Sequence, residues 1–311
     1  MKKITLGSGQ LKASEICVGF WRIHEVSVAE AEKLIKTALD LGIDFFDHAN
    51  IYGNGKCEEM FAQAIGMNSN VREKFYLQSK CGIVLDRPEG VYFDFSREQI
   101  LTSVDASLKR LKTDYLDVLL LHRPDALFEP EEVAEALNVL AASGKVRHFG
   151  VSNQRPGQIK LLRKYVPYHF IANQMQFSLT NSSMVDCGLC TNMEFEQCTD
   201  RDGDILDYCR LNDITIQAWS PFQYGIYEGT FLGNKEKFPE LNKKLEELAK
   251  AKGVTISAVA AAWILRHPAH IQVVSGTTKA ERLVEIAKAS DIEITRPEWY
   301  DLWRAAGNML P

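Results

Sequence analysis

The sequence predicts an α/β fold, a (β/α)₈ TIM barrel, on three observations. Eight short apolar runs alternate with eight longer amphipathic runs along the 311 residues. The apolar runs lack a period of two, as expected for parallel strands buried on both faces. No Gly-x-Gly-x-x-Gly follows the first run, which argues against an open sheet that binds a dinucleotide there. Eight strand–helix units in a chain of this length favour a closed barrel.

The eight units follow one another without a Ser-, Gly- or Pro-rich linker, so residues 1–311 are predicted to form a single domain. The predicted strands cover residues 15–21, 43–47, 74–80, 115–122, 146–152, 169–176, 214–220 and 271–276. The helices that follow them cover residues 28–42, 57–65, 96–112, 129–145, 155–165, 204–212, 240–253 and 279–290. Ser96 is a typical N-cap residue, and Gly144 lies where a helix should end.

Five segments lie outside this simple repeat. Residues 5–14, TLGSGQLKAS, predict a β-hairpin that closes the barrel bottom. Residues 254–268 predict a further helix in the seventh connection, and residues 296–306 predict an extra C-terminal helix. Two connections are long, at residues 82–95 and 177–203, and we expect them to cover a substrate.

Composition narrows the classes of partner. The chain is 46% hydrophobic and 25% charged, with a net charge of −5. An acidic balance argues against nucleic acid or an anionic membrane as partner. No apolar run approaches the roughly 20 residues that span a bilayer. The first residues, MKKITLGSGQ, lack the apolar stretch of a signal peptide, so a cytoplasmic location is expected.

The seven cysteines are an odd number, and a reduced protein is the simplest expectation. Cys187, Cys190 and Cys198 lie close in sequence, as in some zinc sites. No histidine or fourth cysteine stands at the usual spacing, Cys209 being the nearest candidate. The glycine of DRDGD, residues 200–204, is misplaced for a calcium loop. We therefore expect no metal and ordinary loop cysteines.

Three predicted strands end in an ionisable residue, which is notable because barrel chemistry lies at the carboxyl ends of strands. Asp47 ends FFD, Lys80 ends LQSK and His122 ends LLLH, while Tyr52 follows Asp47 by five positions. Each has a structural interpretation alone: a loop cap, a lysine directed to solvent, a buried histidine. Their occurrence together at corresponding strand ends favours a catalytic group.

The four residues suit proton donation to a carbonyl oxygen. A free tyrosine has a pKa of about 10, and a neighbouring ammonium group should lower it. Asp47 would keep Lys80 charged and oriented, and His122 would donate a hydrogen bond to the carbonyl oxygen. The predicted catalytic residues are Asp47, Tyr52, Lys80 and His122.

These residues stand in motifs that resemble the aldo-keto reductase family. The motifs, in family order, are GIDFFDHANIYG, SK, LLLHRPD, GKVRHFGVSN, NQMQ and AWSP. The resemblance extends from the hairpin to the last helix and is strongest to bacterial reductases of the YdhF type. It implies hydride transfer from a nicotinamide to a small aldehyde or ketone, with Tyr52 as the general acid.

The resemblance also implies a cofactor site. Trp219 would stack on the nicotinamide ring, where tyrosine is more common, and Trp21 would form a wall of the substrate pocket. Arg22 would lie near the cofactor, and Glu285 would face the adenine. Residues implied to hold the nicotinamide carboxamide are Ser152, Asn153 and Gln174. Those implied along the pyrophosphate and adenosine phosphate are Ser220, Gln223, Tyr224, Gly225, Gly276, Thr277, Thr278 and Arg282.

Two further positions depart from the family pattern. Gly276 stands where many members have a lysine for the 2′-phosphate, but Arg282 and Lys279 remain. We therefore expect NADP(H), with NAD(H) as the alternative. His48 replaces a smaller residue beside Asp47, and its role is not assigned.

Two other functions remain open at this point. A barrel lyase would use Lys80 as a Schiff-base amine. A regulatory subunit would bind NADP without catalysis. Neither the physiological substrate nor the oligomeric state follows from the sequence.

Overall fold

The chain begins with the predicted hairpin, formed by β1 (Lys3–Leu6) and β2 (Leu11–Ser14). The computed structural model describes residues 1–9, 11–85, 88, 90–225 and 228–311. Residue 10 of the predicted hairpin therefore lies outside the described residues, as do residues 86, 87 and 89 of the 82–95 connection. Two short strands of that connection, β6 (Ile83–Val84) and β7 (Tyr92–Phe93), pair antiparallel.

Eight parallel strands close into a barrel, which confirms the predicted fold class. Around the barrel the order is β3, β4, β5, β8, β9, β10, β11 and β12, and β12 pairs with β3. Their bounds are β3 (Ile16–Gly19), β4 (Phe45–Asp47), β5 (Tyr76–Cys81), β8 (Leu116–Leu121), β9 (Val146–Ser152), β10 (Phe170–Gln176), β11 (Thr215–Trp219) and β12 (Gln272–Ser275).

Helices follow the barrel strands as the amphipathic runs predict. Their bounds are α1 (Val28–Asp40), α2 (Lys56–Ala64), α3 (Ser69–Arg72), α4 (Arg97–Leu111), α5 (Pro130–Ala142), α6 (Pro156–Arg163), α7 (Ser183–Leu189), α8 (Ile205–Leu211), α9 (Pro239–Lys252), α10 (Ile256–Leu265), α11 (Ala280–Ala287) and α12 (Arg296–Ala305). The Ser96 hydroxyl accepts a hydrogen bond from the Gln99 amide, which makes it the N-cap of α4. The predicted extra helices are α10 and α12.

The hairpin closes the bottom of the barrel. Its apolar residues Leu6 and Leu11 belong to the same buried cluster as Phe45, Val118 and Ile171 from the barrel strands. A larger cluster fills the layer between the barrel and the surrounding helices. Because the bottom is filled with apolar side chains, the opposite end is left for polar chemistry.

The 177–203 connection contains more structure than a loop. It holds α7 and a short 3₁₀ turn, Glu196–Cys198. This turn folds back on the end of α7, which places Cys190 and Cys198 in a disulfide with their Cα atoms 5.3 Å apart. The expectation that these two are free thiols is therefore wrong, whereas Cys187 is free.

Within the described part of the chain, no single helix is long and apolar enough to cross a bilayer. Among the described helices, α9 and α10 taken together reach that length and composition, and they meet at a bend of 92°.

Candidate active site

The segment after β4 carries Tyr52 back over the barrel. It turns through Gly53 and Gly55, whose φ angles are 56° and 88°. A Cβ atom on Gly53 would lie 2.9 Å from the His24 ring, and one on Gly55 would lie 2.8 Å from Cδ of Arg110. Both the backbone angles and the close packing therefore favour glycine at these two positions.

The buried carboxylate of Glu58 fixes this segment against β5. Arg110 lies 2.7 Å (Nη2–Oε2) from Glu58, a carboxylate in the first turn of α2 that is fully buried. The other oxygen of Glu58 accepts a hydrogen bond of 2.7 Å from the Ser79 hydroxyl, next to Lys80 in the chain. Sequence reasoning missed these contacts, which tie the loop of Tyr52 to the strand of Lys80.

The Lys80 ammonium group brings the predicted residues together. It is fully buried and donates to the Asp47 carboxylate at 2.7 Å and to the Tyr52 hydroxyl at 2.9 Å. Its third hydrogen bond, 2.8 Å long, reaches the main-chain carbonyl of His48. All three protons of the ammonium group are thus engaged, so the group is held in one orientation.

The charges act on one another through a dry environment. Burial alone would lower the pKa of Lys80, but Asp47 and Tyr52 outweigh it and raise that pKa above its usual value. Burial raises the pKa of Tyr52, and the Lys80 charge opposes that rise without cancelling it. The expected net lowering of the Tyr52 pKa is therefore not found, because desolvation of the phenolate is the larger effect.

His122 lies beside Tyr52, their rings meeting edge to face with centroids 5.8 Å apart. Its main-chain amide donates to the carbonyl of Cys81 at 2.9 Å, which fixes the strand end. Burial, followed by the charges of Lys80 and Arg123, holds the pKa of His122 well below its ordinary value. The imidazole is therefore neutral and carries one N–H donor.

A chain of glutamines runs from Asp47 through the barrel interior. The second oxygen of Asp47 accepts from Gln78 at 2.6 Å and from Gln174 at 3.1 Å. Gln217 bonds to both glutamines and donates to Gln272 at 2.8 Å. Gln272 in turn donates to the carbonyl of Ser14 in the hairpin at 2.7 Å.

Of these four glutamines, the sequence predicted only Gln174 as a site residue. A single glutamine within an otherwise apolar strand was the available signal, in YLQSK, TIQAW and IQVVS. Such residues need hydrogen-bond partners when buried, and the barrel interior supplies them.

The residues predicted to hold the nicotinamide lie together at the ends of β9, β10 and β11. The Asn153 amide donates to the Ser152 hydroxyl at 2.8 Å and accepts from the Trp219 indole at 3.2 Å. Asn153 has a positive φ of 57°, which directs its side chain across the strand ends. Arg123, which sequence reasoning did not select, lies over the Trp219 ring at 5.5 Å.

The segment from Ser220 to Gly225 follows as a compact turn. Ser220 has a φ of 50°, and its hydroxyl donates to the Gln223 side chain at 2.9 Å. The amide of Tyr224 donates to the carbonyl of Gly229 at 3.1 Å. The side chain of Gln176 donates to the carbonyl of Gly225 at 2.8 Å. These contacts hold the segment against the end of β10.

Trp21 and Arg22 form another wall of the same region. The Arg22 guanidinium donates to the carbonyl of Gly276 at 3.2 Å and lies 4.9 Å from the Trp21 ring. A Cβ atom on Gly276 would lie 3.1 Å from the Trp21 indole nitrogen. Nε of Arg22 and the hydroxyl of Ser275 are buried without a partner among the described residues.

The start of α11 lies next to this wall. The Thr277 hydroxyl accepts from the amide of Lys279 at 3.2 Å just before the helix begins. Thr278 precedes Lys279, while Arg282 and Glu285 are exposed on the helix three positions apart. A helix N-terminus with a nearby guanidinium is suited to bind phosphate.

His48 contributes its main chain rather than its imidazole. The ring is fully buried, stacked on Phe20 at 4.9 Å and edge-on to Phe61 at 4.6 Å. Burial and the Lys80 charge lower the pKa of His48 to about 3, so the ring is neutral near neutral pH.

Comparison with known proteins shows the family to which the chain belongs. The family model described as "Aldo/keto reductase family" matches residues 15–305. The chain belongs to the aldo/keto reductase family. Among similar proteins, the uncharacterized oxidoreductase YcsN of Bacillus subtilis is 36% identical, and the match covers 98% of both chains. The oxidoreductase YdhF of Escherichia coli is 33% identical, again over 98% of both chains.

These matches confirm the resemblance read from the motifs, and the protein is an oxidoreductase of this family. An aldo-keto reductase from Klebsiella pneumoniae, crystallised in complex with NADPH, has a similar fold. Its TM-score is 0.77 at 24% identity, and the match covers all of this chain and 96% of that one.

Proposed function

We propose that this protein reduces an aldehyde or ketone to an alcohol with NADPH, and that Tyr52 is the general acid. The observation that supports this most strongly is the Lys80 ammonium group. It joins the Asp47 carboxylate at 2.7 Å to the Tyr52 hydroxyl at 2.9 Å, beside a neutral His122. Such an arrangement suits a proton donor whose conjugate base needs a fixed positive charge.

The residues around Gly276 fit a dinucleotide. Nε of Arg22 and the hydroxyl of Ser275 are buried and unpartnered among the described residues, so they have hydrogen-bonding capacity to spare. Ser152, Asn153 and Gln174 would hold the carboxamide, and Trp219 would lie against the ring. When bound, the nicotinamide supplies the hydride that reaches the carbonyl carbon.

Side chains of the protein donate the proton and stabilise the charge that its loss leaves behind. Because burial raises the pKa of Tyr52, its phenol is protonated near neutral pH and can donate to the carbonyl oxygen. The phenolate that forms is then stabilised by Lys80, which remains charged because Asp47 raises its pKa. His122, neutral at that pH, donates its N–H to the same oxygen and orients the substrate.

NADPH is the proposed cofactor rather than NADH. Arg282 is exposed near the start of α11, where its guanidinium could form charge-assisted hydrogen bonds with a 2′-phosphate. The Klebsiella pneumoniae enzyme of similar fold was crystallised with NADPH, which supports the same choice.

The geometry disfavours the Schiff-base alternative. An amine that attacks a carbonyl must be neutral and accessible. Lys80 is fully buried, its three protons are engaged, and its pKa is raised rather than lowered. The regulatory-subunit alternative predicts cofactor binding without turnover, and the assay below distinguishes it.

Tyr52→Phe tests the proposal. Removing the general acid should lower kcat/KM for carbonyl reduction by about 10²–10⁴-fold, while NADPH binding, followed by protein fluorescence, should stay near that of the parent. The substrates should include simple aldehydes, keto-sugars and 9,10-phenanthrenequinone. Tyr76→Phe is the matched control, because Tyr76 begins β5 at the far end from Lys80. Undiminished turnover in Tyr52→Phe would remove the general-acid assignment.

A further inference from the structure

A second cluster of ionisable side chains lies outside the proposed active site. Cys187 is on α7, and Asp200 and Asp202 precede α8. One ligand atom from each, the Cys187 sulfur and two carboxylate oxygens, lie within 4.8 Å of one another. None of the three takes part in the proposed carbonyl chemistry.

Asp202 has an unsatisfied oxygen within this cluster. Its side chain is only 8% exposed, and Oδ1 accepts a hydrogen bond of 3.2 Å from the amide of Ile205. Oδ2 is buried and has no partner among the described residues. Burying a carboxylate oxygen without a partner is unfavourable, so the position is suited to a cation.

Arg155 is the nearby protein cation, and its charge acts on both Asp200 and Asp202. The Arg155 guanidinium packs near Gly203, where a Cβ atom would lie 3.3 Å from its Nη2. Among the described ion pairs, however, none joins Arg155 to Asp200 or Asp202, while Arg201 pairs with Glu196 instead. The backbone amides of Asp202 and Gly203 are directed at Asp200 and leave Oδ2 of Asp202 unbonded.

The surrounding segment is strongly acidic. Residues 185–204 contain six acidic residues and one basic residue. Burial raises the pKa of Asp202; the Ile205 amide and the Arg155 charge oppose that rise, and the carboxylates of Asp200 and Asp204 add to it. Burial also raises the pKa of the Cys187 thiol, and the carboxylates of Asp202, Asp200 and Asp204 add to that rise. A divalent cation would relieve both the repulsion and the desolvation.

We propose that Cys187, Asp200 and Asp202 bind a divalent cation of the zinc class. A thiolate with two carboxylates favours zinc over calcium or magnesium, which take oxygen ligands alone. Zinc bonds of about 2.0–2.3 Å would draw the ligand atoms slightly closer than they stand here. A water molecule would complete a four-coordinate site. Binding displaces the thiol proton of Cys187 to solvent, so the affinity rises with pH.

The cation would join the end of α7 to the start of α8. The Cys190–Cys198 disulfide closes the chain between these two elements, and the cation would close it a second time. From α7 the Asp186 carboxylate accepts a hydrogen bond of 2.7 Å from Trp303 of α12. The site therefore stabilises the whole connection between β10 and β11.

Cobalt(II) titration of the full-length chain tests the proposal. The protein is treated with a chelator, dialysed and titrated anaerobically without a thiol reductant, so that the Cys190–Cys198 disulfide stays closed, and the thiolate-to-cobalt charge-transfer absorption is recorded. We expect one cobalt per chain, displaced by one zinc. Cys187→Ala should abolish the absorption, and Asp202→Asn should weaken binding by about tenfold or more.

Asp204→Asn is the matched control, because it removes the same charge two residues away. Asp204 has a positive φ of 60°, which asparagine tolerates well, and circular dichroism checks that each variant is folded. Unchanged affinity in this variant supports the site. The proposal is overturned if no thiolate absorption develops, if the absorption survives Cys187→Ala, or if Asp204→Asn weakens binding as much as Asp202→Asn.

Discussion

Replacing Lys80 by methionine should destabilise the folded protein as well as remove its activity. Lys80 is fully buried and Asp47 is 1% exposed, so the variant leaves a carboxylate buried without its counter-ion. Breaking such a pair from one side costs about 3–5 kcal/mol. Asp47 keeps the amide donors of Gln78 and Gln174, which favours the lower end, about 3 kcal/mol.

The double variant Lys80→Met with Asp47→Asn separates the effect of an unpaired charge from the simple loss of contacts. Asp47→Asn alone leaves the Lys80 ammonium group with neutral hydrogen-bond acceptors, among them the His48 carbonyl and the Tyr52 hydroxyl, and no counter-ion, so it should also lower the stability by about 3 kcal/mol or more. Removing both charges leaves neither ion unpaired. Lys80→Met with Asp47→Asn should therefore be clearly more stable than the two single losses added together.

Urea unfolding at pH 7 measures these differences. The matched control is Lys36→Met, which breaks the Lys36–Asp40 pair on α1, whose side chains are 72% and 65% exposed. An exposed pair of this kind is worth about 0.5 kcal/mol or less. An unpaired buried charge is not the cause if Lys80→Met lowers the stability no more than Lys36→Met, or if the losses in the double variant are additive.

Three further outcomes follow from the same site. Because burial raises the pKa of Tyr52, kcat/KM for carbonyl reduction should be constant through neutral pH. It should fall only above about pH 10, as the phenol loses its proton. A decline centred near pH 7 would contradict this. Arg282→Ala should weaken NADPH binding by about tenfold or more, which is the contribution of one charge-assisted hydrogen bond. NADH binding, measured by calorimetry in the same way, should be nearly unchanged. Equal losses for the two cofactors would show that Arg282 does not contact the 2′-phosphate. The pKa of His48 is about 3 in the folded protein and about 6.5 in the unfolded chain. Between these values the unfolded state binds more protons, so the stability of the folded protein falls as the pH drops from about 6.5 towards 3. His48→Leu should make urea midpoints between pH 4 and 7 less pH-dependent, and an unchanged slope would show that His48 does not cause it.

The sequence predicted the barrel because its signals are local and repeated. Each strand is a short apolar run, and each helix shows its own periodicity and caps, as at Ser96. Asp47, Lys80 and His122 were detectable because each charged or polar residue ends an apolar run. The barrel then brings such strand ends together, wherever they stand in the chain.

What the sequence did not reveal depends on contacts between distant residues. Glu58 reads as a surface residue of a helix, and only its position against Arg110 makes it a buried ion-pair partner. The Tyr52 pKa was predicted from a neighbouring charge alone, since the degree of burial cannot be read from a motif. Cys190 and Cys198 are bonded because a 3₁₀ turn folds back, which no spacing rule indicated.

The glutamine chain has a consequence for rebuilding this barrel by recombination. It begins at Asp47 and Gln78, in the first half of the chain, and continues through Gln174, Gln217 and Gln272 in the second half. A half-barrel exchanged with a relative that lacks matching glutamines would leave buried amides without partners on one side of the join. Such hybrids should close with intact hydrophobic layers, yet Asp47 would lose the hydrogen bond that it accepts from Gln174. The two halves of the barrel are therefore not interchangeable modules, because the Asp47 carboxylate accepts hydrogen bonds from glutamines of both halves.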